Sequence, residues 1–198
     1  MISPKDAIAI LILAAGASTR MGKMKQLLPW KGTTLLGNAI QQAENTNAKN
    51  IYIVLGANAN RIKEALKTNL HILVNSDWKS GLGSSLAYGV RHIQANKEEA
   101  SGVLVLLADQ PLIDTTFINS LIDNFEGDTS IVTTGYKNRV GVPAVFGSAY
   151  FSQLAGLHKD FGAKELIQQH KDRYIRIEGG AKTIDIDTLE DYEKLTNN

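Results

Sequence analysis

The segment Ile10-Leu11-Ile12-Leu13-Ala14-Ala15-Gly16-Ala17-Ser18-Thr19-Arg20-Met21-Gly22-Lys23-Met24-Lys25 concentrates the chemistry of this chain. It opens as an apolar strand, breaks into small residues, and then delivers Arg20 and Lys25. A loop of Ala, Gly and Ser lets backbone come close to a ligand and aim N–H groups at phosphate oxygens. Two cations just beyond it suit a triphosphate, whose charge must be held while one phosphorus is attacked. The expected ligand is a nucleoside triphosphate, held by Leu13, Ala14, Ala15, Gly16, Ala17 and Ser18, with Arg20 and Lys25 as catalytic cations.

An ordinary βα turn uses the same small residues for conformational reasons alone. Here the combination with Arg20 and Lys25 favours phosphate. The segment is not a P-loop, because G-x-x-x-x-G-K-[ST] is absent, nor a G-x-G-x-x-G dinucleotide fingerprint. It resembles the signature L-A-A-G-x-S-x-R-M-G-x-x-K of nucleotidyltransferases with a GT-A-like, Rossmann-type fold. Within these it is most similar to the MobA-like branch, and there to molybdenum cofactor cytidylyltransferases. Leu13 to Lys25 fits the signature at every specified position, and Gln26-Leu27-Leu28-Pro29-Trp30 resembles its continuation.

Acids follow two further strand-like runs. Asp109 follows the apolar run Val103–Ala108, where a lone Asp would cap the next helix. Beside a triphosphate it becomes a candidate for Mg²⁺, which takes one or two carboxylates plus phosphate oxygens. Asp185 and Asp187 alternate in a strand-like stretch and point to one side. The resemblance implies Asp109 in the family's D-x-P as a metal ligand and a second carboxylate in a D-I-D-T-P-E-D-like segment. Both Asp185 and Asp187 stand as candidates, Asp187 slightly ahead.

The stretch Asn75 to Leu86 is rich in small polar residues and precedes a helix. The resemblance to N-x-x-W-x-x-G-x-x-x-S-L makes Gly81, Ser84 and Ser85 nucleotide contacts, with Trp78 as packing. On the acceptor side, Gly141, Pro143 and Lys164 are the candidates, from segments similar to G-H-P and G-D-x-G-A-R. There Val142 stands for His, Lys159 for Gly and Lys164 for Arg, and Lys lacks Arg's bidentate fork.

The resemblance thus implies Mg²⁺-dependent transfer of CMP from CTP to a phosphate-bearing acceptor, molybdopterin, with a molybdoenzyme or its chaperone as client. Ala15, where guanylyl-transferring relatives carry Gly, points by the same resemblance to CTP over GTP. The alternatives are another acceptor, such as a sugar or polyol phosphate, and a carrier that binds nucleotide or molybdopterin without transfer.

Elements must place these residues together. Strands are expected at 7–14, 50–55, 71–74, 102–107, 130–134, 142–146 and 174–177. Helices are expected at 34–45, 58–67, 84–95, 115–125, 163–170 and 188–195, the fourth capped by Asp114 and the last by Thr188 with Asp191. Their alternation predicts a three-layer α/β/α sandwich with a mainly parallel, Rossmann-like sheet and ligand beyond its carboxyl ends. Residues 1–198 read as one domain, with about 135–165 as a substrate-side insertion or lid. The 198 residues suit a full core, at 43% hydrophobic and 21% charged. A net charge of +1 makes no general case for nucleic acid or an anionic membrane. The absence of Cys excludes thiolate catalysis and Cys-based metal sites, and fits a reducing cytoplasm. No signal peptide or membrane span is expected.

Overall fold

Near-continuous apolar runs have no polar face to turn to water, so they fold as interior strands covered on both sides. The computed structural model describes residues 4–48, 50–96, 100–158 and 162–197, except the side chains of Pro4 and Asp6. Its first half holds β1 (Ile8–Ala14), β2 (Pro29–Trp30), β3 (Thr33–Thr34), α1 (Leu35–Glu44), β4 (Asn50–Leu55), α2 (Ala59–Ala65), β5 (His71–Val74) and α3 (Leu82–Ala95). The second half holds β6 (Gly102–Leu107), α4 (Thr115–Asp123), β7 (Ile131–Gly135), β8 (Val140–Gly147), α5 (Phe151–Ala155), α6 (Ala163–Gln169), β9 (Tyr174–Glu178) and α7 (Leu189–Thr196).

The main sheet has seven strands in the order β5-β4-β1-β6-β8-β7-β9. β1 is buried along its whole length and pairs in parallel with β4 and β6. Side chains alternate across it. Ile8, Ile10, Ile12 and Ala14 join the core beneath α1, α2 and α4, while Ala9, Leu11 and Leu13 join the core beneath α3, α5 and α6. The result is the expected α/β/α sandwich. The sheet is mainly parallel, with β8 antiparallel to both β6 and β7.

Caps anticipated from side-chain chemistry are present. Asp114 accepts the Phe117 N–H at 2.9 Å, and Thr188 with Asp191 closes a full capping box. Two elements had no periodic signal. The β2–β3 hairpin is too short to show alternation, and turns through Lys31 (φ 44°) and Gly32 (φ 84°), as a two-residue hairpin turn requires. The short α5 follows β8 after a single 3-10 turn, Ser148–Tyr150.

The expected insertion at 135–165 is corrected in part. Residues 140–147 form β8, buried almost throughout and set between β6 and β7, so this stretch belongs to the sheet. Lys159, from the G-D-x-G-A-R-like segment, lies outside the described residues. Among the described residues no helix is long and apolar enough to cross a membrane.

Candidate active site

The carboxyl ends of β1 and β6 lie side by side, and the Ala108 N–H donates to Leu13 O at 3.2 Å. The Asp185–Asp187 segment is stitched there by an Ile186 N–H bond to Asp109 O at 2.9 Å. Three distant stretches of sequence therefore converge on one cavity of about 270 Å³.

The loop after β1 is held from beneath by Gln26. Its buried amide nitrogen donates to Ala14 O at 2.9 Å and Gly16 O at 2.8 Å. Ser18 adopts a left-handed conformation (φ 55°), and its hydroxyl accepts the Lys25 N–H at 3.2 Å. Gly56 lets the loop sit close. A Cβ there would lie 2.4 Å from Trp78 Cβ and 2.8 Å from Ala15 O, nearer than packing tolerates. Trp78 thus packs beneath the loop, as expected.

Charge at the cavity is arranged as a chain. Lys25 Nζ donates to Asp109 Oδ2 at 2.8 Å and to Asp187 Oδ1 at 3.4 Å, while Arg20 reaches Asp187 Oδ2 at 3.5 Å. Two cations thus neutralise two carboxylates in the free protein. Asp109 Oδ1 is buried without a hydrogen-bond partner. A buried carboxylate oxygen left unsatisfied is costly unless another group engages it.

Of the expected nucleotide contacts, Leu13, Ala14, Gly16 and Ser18 line this cavity together with Arg20, Lys25, Asp109 and Asp187. Ala15 and Ala17 belong to the same loop but are not in its lining, and Ala15 O is taken by the Ala57 N–H. Gly81, Ser84 and Ser85 also lie outside the lining. The two hydroxyls are buried and turned inward, where Asn75 Nδ2 donates to both at 3.1 Å, and Ser84 Oγ donates to Asp77 O and Gly81 O. They tie down the 75–81 loop, and it is Leu82 that reaches the cavity.

A second cavity of about 230 Å³ adjoins the first, sharing Leu13, Leu82 and Leu107. Gly141 and Lys164 line it, and so does Asp185, which is absent from the lining of the first. Pro143 is not brought there. It follows the register shift between β7 and β8 and borders a small gap beneath α1 and α4. Sequence reasoning gave no role to Gln110, Tyr136 and Arg139, which also line the second cavity. Gln110 Nε2 donates to Tyr136 Oη at 2.7 Å and Asp185 Oδ1 at 2.8 Å. The Arg139 guanidinium lies 3.9 Å above the Tyr136 ring centre. Burial pushes the Asp185 carboxyl above its ordinary pKa, the nearby Asp109 and Asp187 charges add to this, and Gln110 and Arg139 oppose it. Burial likewise raises the Tyr136 hydroxyl.

A small-residue loop, paired cations and strand-end acids at the carboxyl edge of such a sheet define a nucleotidyltransferase. Residues 10–174 match the MobA-like NTP transferase domain, and the chain belongs to that family. It is 28% identical to purine catabolism protein PucB of Bacillus subtilis (strain 168), over 93% of this chain and 94% of that protein. Among solved structures, the Rv0371c homolog from Mycobacterium sp. strain JC1 is 34% identical with a TM-score of 0.83, covering 97% of this chain and 96% of that one. The manganese complex of Rv0371c from Mycobacterium tuberculosis H37Rv is 28% identical with a TM-score of 0.80, covering 96% and 98%.

Proposed function

We propose that this nucleotidyltransferase moves CMP from CTP to a phosphate-bearing acceptor, molybdopterin, and releases pyrophosphate. The observation that carries this reading is the placement of Lys25 between Asp109 and Asp187, at the mouth of the small-residue loop.

The carboxylates fit Mg²⁺. Asp109 offers a buried oxygen with no partner, Asp187 is half exposed beside it, and hard oxygen donors suit this ion. The manganese complex of the similar Rv0371c supports a divalent ion here. Bound there, the ion supplies Lewis-acid charge at the triphosphate. Asp187 is the preferred second ligand and Asp185 is not, because Asp185 lines the other cavity.

The loop from Leu13 to Ser18, locked by Gln26, cradles the phosphates. Lys25 and Arg20 turn from the carboxylates to the triphosphate and neutralise charge that grows as the α–β bridging P–O bond breaks. An acceptor phosphate oxygen, already ionised near neutral pH, attacks the α-phosphorus in line, and the bridging electron pair leaves with pyrophosphate. No general base is needed. The second cavity receives the acceptor, with Gly141 and Lys164 in its wall. CTP is preferred on the resemblance at Ala15.

The test is pyrophosphate release from CTP or GTP with Mg²⁺ across a panel of acceptors. Release with CTP and molybdopterin is expected. Release with GTP alone would overturn the donor, and release only with a sugar or polyol phosphate would overturn the acceptor. Tight nucleotide binding without release under any acceptor would make the protein a carrier.

A further inference from the structure

The second cavity contains a guanidinium that is braced but not consumed. The Arg139 guanidinium carbon lies 3.9 Å over the Tyr136 ring centre, and its nearest carboxylate, Asp185 Oδ2, is 3.8 Å away, beyond hydrogen-bond range. Among the described residues the Arg139 guanidinium donates no hydrogen bond. Tyr136 is itself anchored. Its hydroxyl donates to Val142 O and accepts from Gln110, and its backbone N–H donates to Arg139 O at 2.8 Å. Gln110 holds Asp185 with the same amide group.

A guanidinium whose face is covered and whose edge is free is preorganised for a planar, bidentate oxyanion. Lys164, the other cation in the lining, is an exposed point charge and adds attraction without orientation. The leucines shared with the first cavity place this oxyanion site next to the triphosphate site. We propose that Arg139 grips the phosphate monoester end of the acceptor and presents its oxygen for attack, with Gln110 and Tyr136 as positioning residues. This rests on the reading of the protein as a transferase to a phosphate acceptor.

The probe is methyl phosphate, followed by phosphorus NMR line broadening, with an α,β-methylene CTP analogue and Mg²⁺ filling the first cavity. Wild type is expected to bind it. Arg139→Ala and Arg139→Lys should each weaken it at least about tenfold, the second because charge remains but the fork is lost. Affinity for the CTP analogue should stay within about twofold of wild type, which separates a local role from general damage. Tyr136→Leu should weaken methyl phosphate as well, and Tyr136→Phe, which keeps the ring, should restore most of it. Asp185→Asn removes a negative charge 3.8 Å from the guanidinium and keeps the acceptor for Gln110, so it should not lower methyl phosphate affinity.

The assignment is overturned if wild type takes up no methyl phosphate, if Arg139→Ala binds it normally, or if the probe merely competes with the analogue. The analogue's own phosphorus signals report the first cavity in the same tube. Their failure to respond would sink the nucleotide-site reading instead, while the dependence of methyl phosphate on Arg139 is still measured.

Discussion

Replacing Lys25 by Ala separates function from folding more cleanly than any other single change here. Lys25 donates one short bond, 2.8 Å to Asp109, and a longer one, 3.4 Å to Asp187, from a side chain only 17% exposed. A charge-assisted hydrogen bond of that kind contributes about 1.5–3 kcal/mol when its partner is desolvated. In the free protein the Asp109 and Asp187 side chains are 25% and 45% exposed, so water takes over much of the lost bond and the loss to stability is about 1 kcal/mol, a melting shift of roughly 2–4 °C for a chain of this size. On the proposed mechanism the same ammonium meets the charge that develops in the transition state, and deleting such a donor costs about 10²–10³ in turnover. The assay is pyrophosphate release under saturating CTP and Mg²⁺, run beside a thermal melt. A melt within a few degrees of wild type and turnover down at least about a hundredfold are expected. Retention of more than a tenth of wild-type turnover, with the fold intact, would refute the assignment of Lys25.

Four further outcomes follow from the geometry. Asp187→Asn should raise the metal concentration needed for half-maximal activity, whereas Asp185→Asn should leave it unchanged; equal shifts in a metal titration would mean that the two cavities do not divide the acids as described. Gln26→Met removes the donor that holds Ala14 O and Gly16 O, at a cost of about 1–3 kcal/mol per abandoned carbonyl, and calorimetry should show weaker nucleotide binding. Gly56→Ala drives a Cβ into Trp78 and Ala15 O, so chemical denaturation should show a loss of about 1–3 kcal/mol together with an elevated KM for nucleotide. For Asp114, burial raises the pKa, but the Lys182 bond and the Phe117 N–H outweigh it and leave the carboxyl below its ordinary 3.8. A carboxyl depressed in the fold stabilises it above the unfolded value, and that stability is lost as pH falls through the folded value. The melting difference between wild type and Asp114→Asn should therefore be constant near neutrality and shrink below about pH 4.

The loop after β1 was legible as a candidate site because its signal is local. Small residues, Arg20 and Lys25 lie within one turn-sized stretch, and Leu13, Gly16 and Ser18 line the cavity as expected. The strands were legible because burial on both faces writes a continuous apolar run, as in β1 and β6. The caps at Asp114 and Thr188 were legible because each satisfies N–H groups three residues away.

What the chain order could not carry is which face a side chain takes once distant strands are set in register. Ser84 and Ser85 look like ligand groups in isolation, yet the fold turns both hydroxyls onto Asn75. Pro143 and Gly141 are two residues apart, and strand alternation alone would put them on one face, but the register shift where β8 pairs with β7 falls between them and they border different cavities. Asp185 and Asp187 share a local pattern expected to point to one side, yet in the fold, where Ile186 between them bonds Asp109 O, one lines each cavity. The Arg139 platform draws on Gln110 and Tyr136, from segments with no common period. Short-range chemistry belongs to the sequence, whereas the partition of these groups between two adjoining cavities is a long-range packing result that only the folded sheet supplies.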